Sequence, residues 1–305
     1  MNEAMLAQVS GGKGFFAALD QSGGSTPGAL HAYGISDSVY RNDDEMFALM
    51  HAMRVRIMTA PAFTAPRIIA AILFERTIDG EVEHRPVPAY LWEERGIVPF
   101  LKIDQGLDCE RDGVQLMKPM PALDVLLMRA AKLGIFGTKM RSVIAQPSKE
   151  GIAAIVAQQF ELATRILRHG LMPIIEPEVL LASRDKAAVE TLLYDELSRH
   201  LDALTLGQNV ILKLAIPDVP NLYQALVGHD RIARILALSG GYSRDDACVR
   251  LAMNAGMIAS FSRAFIEDLL LPMDTAEFNT MLATSIDKIY WASIVKPGSL
   301  QPVSH

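Results

Sequence analysis

Lys213 stands in the run "VILKLAI", with apolar residues on both sides. Taking an ammonium out of water in such a run is costly, so the group must be paired or have a lowered pKa. A lysine of this kind is a candidate nucleophile for imine formation with a carbonyl substrate, and a second ammonium nearby would lower its pKa further. Lys139, in "FGTKMR", is a candidate for that second cation. Imine chemistry also needs a group that shuttles protons through carbinolamine formation and dehydration, and a carboxylate of raised pKa serves. The stretch "PIIEPEVL", residues 173–180, supplies two, Glu176 and Glu178, which period-2 alternation turns to the same face. Two such carboxylates repel, so either one is neutral or both are held by cations such as Lys139, Arg141 and Lys213. The competing explanation, weightier for Glu178 than for Glu176, is a satisfied ion-pair cluster that only stiffens the site.

A second kind of chemistry is carried by "SGG", residues 239–241, just before a helical pattern. Its backbone N–H groups can face an anion with no Cβ in the way, and Arg263 offers a bidentate donor beside them.

These residues need a scaffold that brings them together. Eight short apolar runs recur along the chain, at 14–20, 67–74, 97–104, 135–141, 171–178, 209–216, 235–241 and 256–263, and each ends in polar or charged residues. Between them lie helical patterns. Examples are 43–58, 148–170 with Ser148 as N-cap and Gly170 as closing glycine, and 243–256 with Ser243 and Gly256 in the same roles. Strands alternating with helices imply parallel pairing, and eight such units over about 250 residues fit a single-domain α/β protein, the (β/α)8 or TIM barrel. The alternative, a doubly wound sheet, lacks its G-x-G-x-x-G turn after the first strand, where "DQSGGS" stands instead. In a barrel the carboxyl ends of all eight strands converge, so Asp20, Lys102, Asp104, Lys139, Arg141, Glu176, Glu178, Lys213 and Arg263 are expected around one mouth. No linker or low-complexity run divides residues 1–305, and residues 291–305 are expected to form a flexible tail.

The composition narrows the partners. Net charge is −6 and the 29 basic residues are scattered, which leaves no footprint for a nucleic acid or an anionic membrane surface. The two cysteines, Cys109 and Cys248, are far apart, arguing for neither a disulfide framework nor a thiolate metal site, and a reducing cytoplasm is the expected setting. There is neither a signal-peptide pattern nor an apolar run of membrane-spanning length. The apolar helices leave room for a subunit interface, so a homo-oligomer is compatible with the sequence.

Taken in order, "FAALDQSGGSTPGAL", "FLKIDQG", "FGTKMR", "PIIEPEV", "VILKLAIP", "LALSGGYS" and "IASFSRA" resemble the strand-end motifs of class I fructose-1,6-bisphosphate aldolases in their shorter bacterial form, over nearly the whole chain. The resemblance implies a lyase that cleaves fructose 1,6-bisphosphate to dihydroxyacetone phosphate and glyceraldehyde 3-phosphate. It assigns the imine to Lys213, proton transfer to Glu176, the positioning and tuning of Lys213 to Glu178 and Lys139, and the C3 and C4 hydroxyls to Asp20. Ser239, Gly240, Gly241 and Arg263 then cradle the C1 phosphate, with Ser262 a weaker contact, while Ser22, Ser25, Lys102 and Arg141 lie on the side of the second phosphate. No cofactor and no metal are implied, and none of the seven histidines falls in an H-x-H or H-E-x-x-H pattern. Gln21 stands where animal-type members carry an acidic residue, and the tail does not end in the tyrosine of longer forms. Two other readings remain: another lysine-dependent sugar-phosphate aldolase or a transaldolase, and a non-catalytic barrel that binds sugar phosphates or a protein.

Overall fold

The computed structural model describes residues 1–296. Its framework is eight strands: β1 (Phe15–Leu19), β2 (Ile68–Leu73), β3 (Val98–Lys102), β4 (Gly137–Ile144), β5 (Met172–Val179), β6 (Val210–Ala215), β7 (Ile232–Leu238) and β8 (Met257–Phe261). Each pairs in parallel with its neighbours in sequence, β8 returns to β1, and the register Phe100↔Gly137 joins β3 to β4, so the sheet closes. The chain therefore forms the eight-stranded barrel that the alternation of apolar runs and helical patterns predicts. Strands such as β1 and β2 are buried at every residue, which is why their sequences run apolar without alternation.

The helices that cover the barrel include α1 (Glu3–Gly11), α2 (Asp43–Thr59), α3 (Val87–Glu93), α4 (Leu123–Lys132), α5 (Lys149–Arg168), α6 (Lys186–Ala203), α7 (Arg244–Ala252) and α8 (Thr275–Ile294). Ser148 caps α5 by accepting from the Gly151 N–H at 3.0 Å, and Gly170 follows that helix at φ 73°. Ser243 caps α7 in the same way, accepting from the Asp246 N–H at 3.2 Å. The pattern read over 243–256 nevertheless stops as a helix at Ala252. Gly256, at φ 76°, serves the turn into β8, where an added Cβ would lie 2.5 Å from Val227. Two further boundaries differ from expectation. β7 begins at Ile232, earlier than the apolar run, because Arg234 lies within the strand. Residues 291–294, assigned above to a tail, complete α8, and the remainder of that tail from 297 lies outside the described residues.

Two apolar clusters form the core of the described residues. The larger lies between strands and helices, and the smaller contains Phe16, Val98, Phe100, Phe136, Met172, Ile174, Ile211, Leu236 and Ile258 with Met5 and Val9 of α1. The smaller is the inside of the barrel, and α1 is its floor. Gln8 on α1 donates to the carbonyls of Ile69 (2.8 Å) and Gly96 (2.6 Å), while Arg234 reaches back to the carbonyls of Val9 (2.9 Å) and Gly12 (3.0 Å). Apolar below, the barrel interior turns charged above.

Candidate active site

The charged layer is set by strand register. Lys102 pairs in level with Lys139, and Arg141 with Glu176. Ile175 pairs with Leu212, which brings the next residues, Glu176 and Lys213, to one level. Since successive residues face opposite sides of a sheet, all five of these side chains point inward.

The result is a row of alternating charges. Lys213 Nζ lies 3.3 Å from Glu176 Oε1, Glu176 Oε2 lies 3.0 Å from Lys139 Nζ, and Lys139 Nζ lies 2.6 Å from Asp20 Oδ2. All four side chains are buried, Lys213 at 3% exposure. Burial alone would push the Asp20 carboxyl up, but the ammonium groups of Lys139, Lys213 and Lys102 outweigh it and hold that carboxyl well below the usual carboxylate range. Burial alone would push the Lys139 ammonium down, but Asp20, Glu176 and Asp104 outweigh it and hold it well above the usual lysine range. Lys139 is thus a fixed cation between two carboxylates. Glu176 is also braced from outside the barrel: its backbone N–H donates to Gln159 Oε1 at 2.8 Å, and Gln159, fully buried on α5, donates in turn to Ser142 Oγ at 3.1 Å.

Glu178 takes Arg141, one of the three cations that the sequence offers the pair, and not the lysine that the resemblance assigns to it. Its carboxylate accepts from Arg141 Nε at the rim. The reason is depth: two residues further along β5, it stands a full step above Glu176, level with Val143, where the longer guanidinium arm reaches it. Lys102 is held by Asp104, donating to its carboxylate at 2.7 Å and its carbonyl at 2.9 Å. Ser22 and Ser25 close a turn on themselves, the Ser22 N–H donating to Ser25 Oγ at 3.0 Å.

On the far side, Gly240 (φ 62°) and Gly241 (φ 111°) take left-handed conformations that admit a side chain poorly, and Ser239 closes the turn by accepting from the Tyr242 N–H at 3.0 Å. Arg263, exposed at the end of β8, has Nη2 3.9 Å from where a Gly241 Cβ would sit. The structure thus brings the "SGG" turn and Arg263 together. Ser262 is engaged with the protein, accepting from Gln21 Nε2 at 2.8 Å.

Sequence reasoning missed Gln159 and Arg54. Arg54, on α2, is 1% exposed and donates to Thr77 Oγ1 (2.7 Å) and the Gln21 carbonyl (2.6 Å). The signal was present: Arg54 falls in the buried stripe of Met46, Met50, Met53 and Ile57, where helical spacing calls for an apolar residue. Among the described residues, no group of three or more His, Cys, Asp and Glu side chains could hold a metal ion, and no helix is long and apolar enough to cross a membrane.

A buried lysine in contact with a carboxylate, itself in contact with a second lysine, can form an imine and move protons beside it. An exposed arginine next to a left-handed glycine turn can take a phosphate. No family model matches the chain. It is 56% identical over 293 residues to a class 1 fructose-bisphosphate aldolase of Synechocystis sp., covering 96% of this chain and 98% of that one. A class 1 fructose-bisphosphate aldolase of Porphyromonas gingivalis is 51% identical over 294 residues, covering 96% of this chain and 100% of its own. Among solved structures, fructose-bisphosphate aldolase from Plasmodium falciparum, in complex with TRAP and a small-molecule inhibitor, has the same fold. The TM-score is 0.70 at 19% identity, over 97% of this chain and 95% of that one.

Proposed function

Because this chain belongs to the class I fructose-bisphosphate aldolases, we propose that it is a lyase that reversibly cleaves fructose 1,6-bisphosphate in glycolysis and gluconeogenesis, through an imine on Lys213. The observation that carries this reading is the buried contact of Lys213 with Glu176, continued through Lys139 to Asp20. The neutral amine of Lys213 adds to C2 of the ketose, and Glu176, 3.3 Å away, passes the protons that let water leave. The protonated imine is the electron sink. Asp20, ionised under the influence of its lysines, accepts the C4 hydroxyl proton as the C3–C4 electron pair moves into the imine, and glyceraldehyde 3-phosphate departs. The enamine that remains is protonated at C3 and hydrolysed to dihydroxyacetone phosphate.

Lys139 does not react. Held between Asp20 and Glu176, it keeps the two carboxylates apart and oriented. Ser239, Gly240, Gly241 and Arg263 hold the C1 phosphate, with Ser262 at its edge, and Ser22, Ser25, Lys102 and Arg141 serve the second phosphate. Glu178 fixes Arg141. The chemistry needs no metal, since the imine does the polarising, so activity is expected to persist in excess chelator. The free thiols of Cys109 and Cys248 suit a reducing, cytoplasmic setting, which cell fractionation tests.

The decisive experiment is to incubate the protein with dihydroxyacetone phosphate, reduce with borohydride and locate the adduct by mass. A reduced adduct on Lys213 is expected, and its absence from that residue would falsify the imine assignment.

A further inference from the structure

Arg54 is a buried cation that this mechanism leaves unused and, unlike the buried Lys186 and Arg244, it makes no ion pair among the described residues, so its burial is hard to account for as packing. A guanidinium at 1% exposure has lost its hydration, and its bonds go to neutral acceptors, the Thr77 hydroxyl and the Gln21 carbonyl. Burial pushes it down to about 10, and the carboxylate that acts against this is Asp20, the residue before Gln21. A buried cation without a paired carboxylate is costly enough that an apolar residue in the same stripe would suit the core better.

Gln21 itself is 5% exposed and faces two ways. Its carbonyl is held from outside by Arg54, and its side-chain amide crosses to the end of β8 and donates to Ser262 Oγ at 2.8 Å. That serine precedes Arg263, which stands beside the glycine turn. One residue is therefore anchored to a helix by its backbone, follows Asp20 directly in the chain, and touches the strand end that carries the arginine.

We propose that Gln21, anchored by Arg54, is a positioning residue that ties the proton-accepting end of β1 to the phosphate-binding end of β8. It sets the distance between the carboxylate that serves C4 and the cradle that holds the C1 phosphate. The substrate fixes that spacing, because its phosphate and its C4 hydroxyl lie on one carbon chain. The inference rests on the imine reading above.

The test uses the full chain with two substitutions at one position. Gln21→Met keeps the volume but loses the amide. Gln21→Glu keeps a polar group able to accept from the Ser262 hydroxyl and to face the Arg54 guanidinium. With Met, kcat for the bisphosphate is expected to fall about tenfold, a fraction of the loss that a 1 Å misplacement causes, and KM to rise several-fold. Borohydride trapping of dihydroxyacetone phosphate on Lys213 is expected to reach the wild-type extent at saturation. With Glu, kcat and KM are expected to return to within about threefold of wild type, with similar thermal midpoints expected for the two variants. Arg54→Lys, which keeps the charge but cannot reach both acceptors, should lose turnover as the Met variant does. A Met variant with wild-type kcat and KM overturns the proposal, as does a Glu variant no better than Met, or an Arg54→Lys protein with unchanged turnover. Failure of wild-type protein to trap on Lys213 would instead remove the imine reading beneath it.

Discussion

At the scale of single residues, the proposed mechanism divides the proton work between Glu176 and Asp20, and the division can be measured. Glu176→Gln keeps shape and removes the acid–base function, so kcat is expected to fall roughly 10²- to 10⁴-fold with a smaller change in KM, read by steady-state kinetics. The Asp20–Lys139 contact makes a separate prediction about stability. A carboxyl whose pKa is lowered on folding adds stability above its ordinary pKa and loses it as pH falls below about 4. An ammonium whose pKa is raised adds stability below its ordinary value, about 10.4, and loses it only as pH rises past that. Both contributions are whole from about pH 4 to 10. The unfolding free-energy difference between wild type and Asp20→Asn, from urea titration, should thus be level between pH 5 and 9 and narrow in stronger acid. A slope within that window would contradict the placement of these charges. Lys213, Lys139 and Glu176 were legible in the sequence because a charge inside an apolar strand is conspicuous. Arg141 was among the cations named for the glutamate pair, but which carboxylate takes which cation was not legible, since period-2 alternation gives the face of a residue but not its height, and height sent Glu178 to Arg141.

At the scale of elements, the strands were easier to read than their ends. All eight apolar runs became barrel strands, because burial on both faces keeps most of their residues apolar. The start of β7 was hidden by Arg234, whose charge belongs to the bonds with α1 and not to a turn. The close of α7 was misread because Gly256 looks like a helix stop and is instead demanded by the turn into β8. Close approach, a property of two elements, cannot be seen in one. Gly137, at the start of β4, is a second such position. A Cβ there would lie 2.2 Å from the Met172 carbonyl oxygen of β5 and 2.5 Å from Phe100 Cε1 of β3. Gly137→Ala should therefore force the three strands apart, with a loss of about 1–3 kcal/mol in urea unfolding. Because β4 carries Lys139, it should also lower turnover, whereas unchanged stability would mean that the strands yield freely.

At the scale of the whole molecule, the barrel is a vessel with a floor. The closed parallel sheet was predictable from the alternation of strands and helices, but α1 was not assigned to it, since nothing in "EAMLAQVSG" announces that Met5 and Val9 fill the base of a barrel. Removing residues 1–12 takes away two buried side chains worth roughly 1.5–3 kcal/mol each and the backbone carbonyls that Arg234 uses. The shortened chain is expected to unfold at markedly lower temperature and to bind a hydrophobic dye, and an unchanged thermal midpoint would show that α1 is dispensable.

The floor also governs traffic. With α1 and the aromatic rings of Phe16, Phe100 and Phe136 below the lysines, molecules enter and leave the pocket from the same side. In the proposed reaction, two fragments of one substrate cannot pass through a single doorway independently while one of them is covalently bound at the bottom. The free aldehyde must go first, and the tethered triose phosphate leaves once its imine is hydrolysed. Inhibition kinetics should record that queue: dihydroxyacetone phosphate competing with the bisphosphate for the empty enzyme, and glyceraldehyde 3-phosphate, which meets the enzyme already loaded, inhibiting without competing.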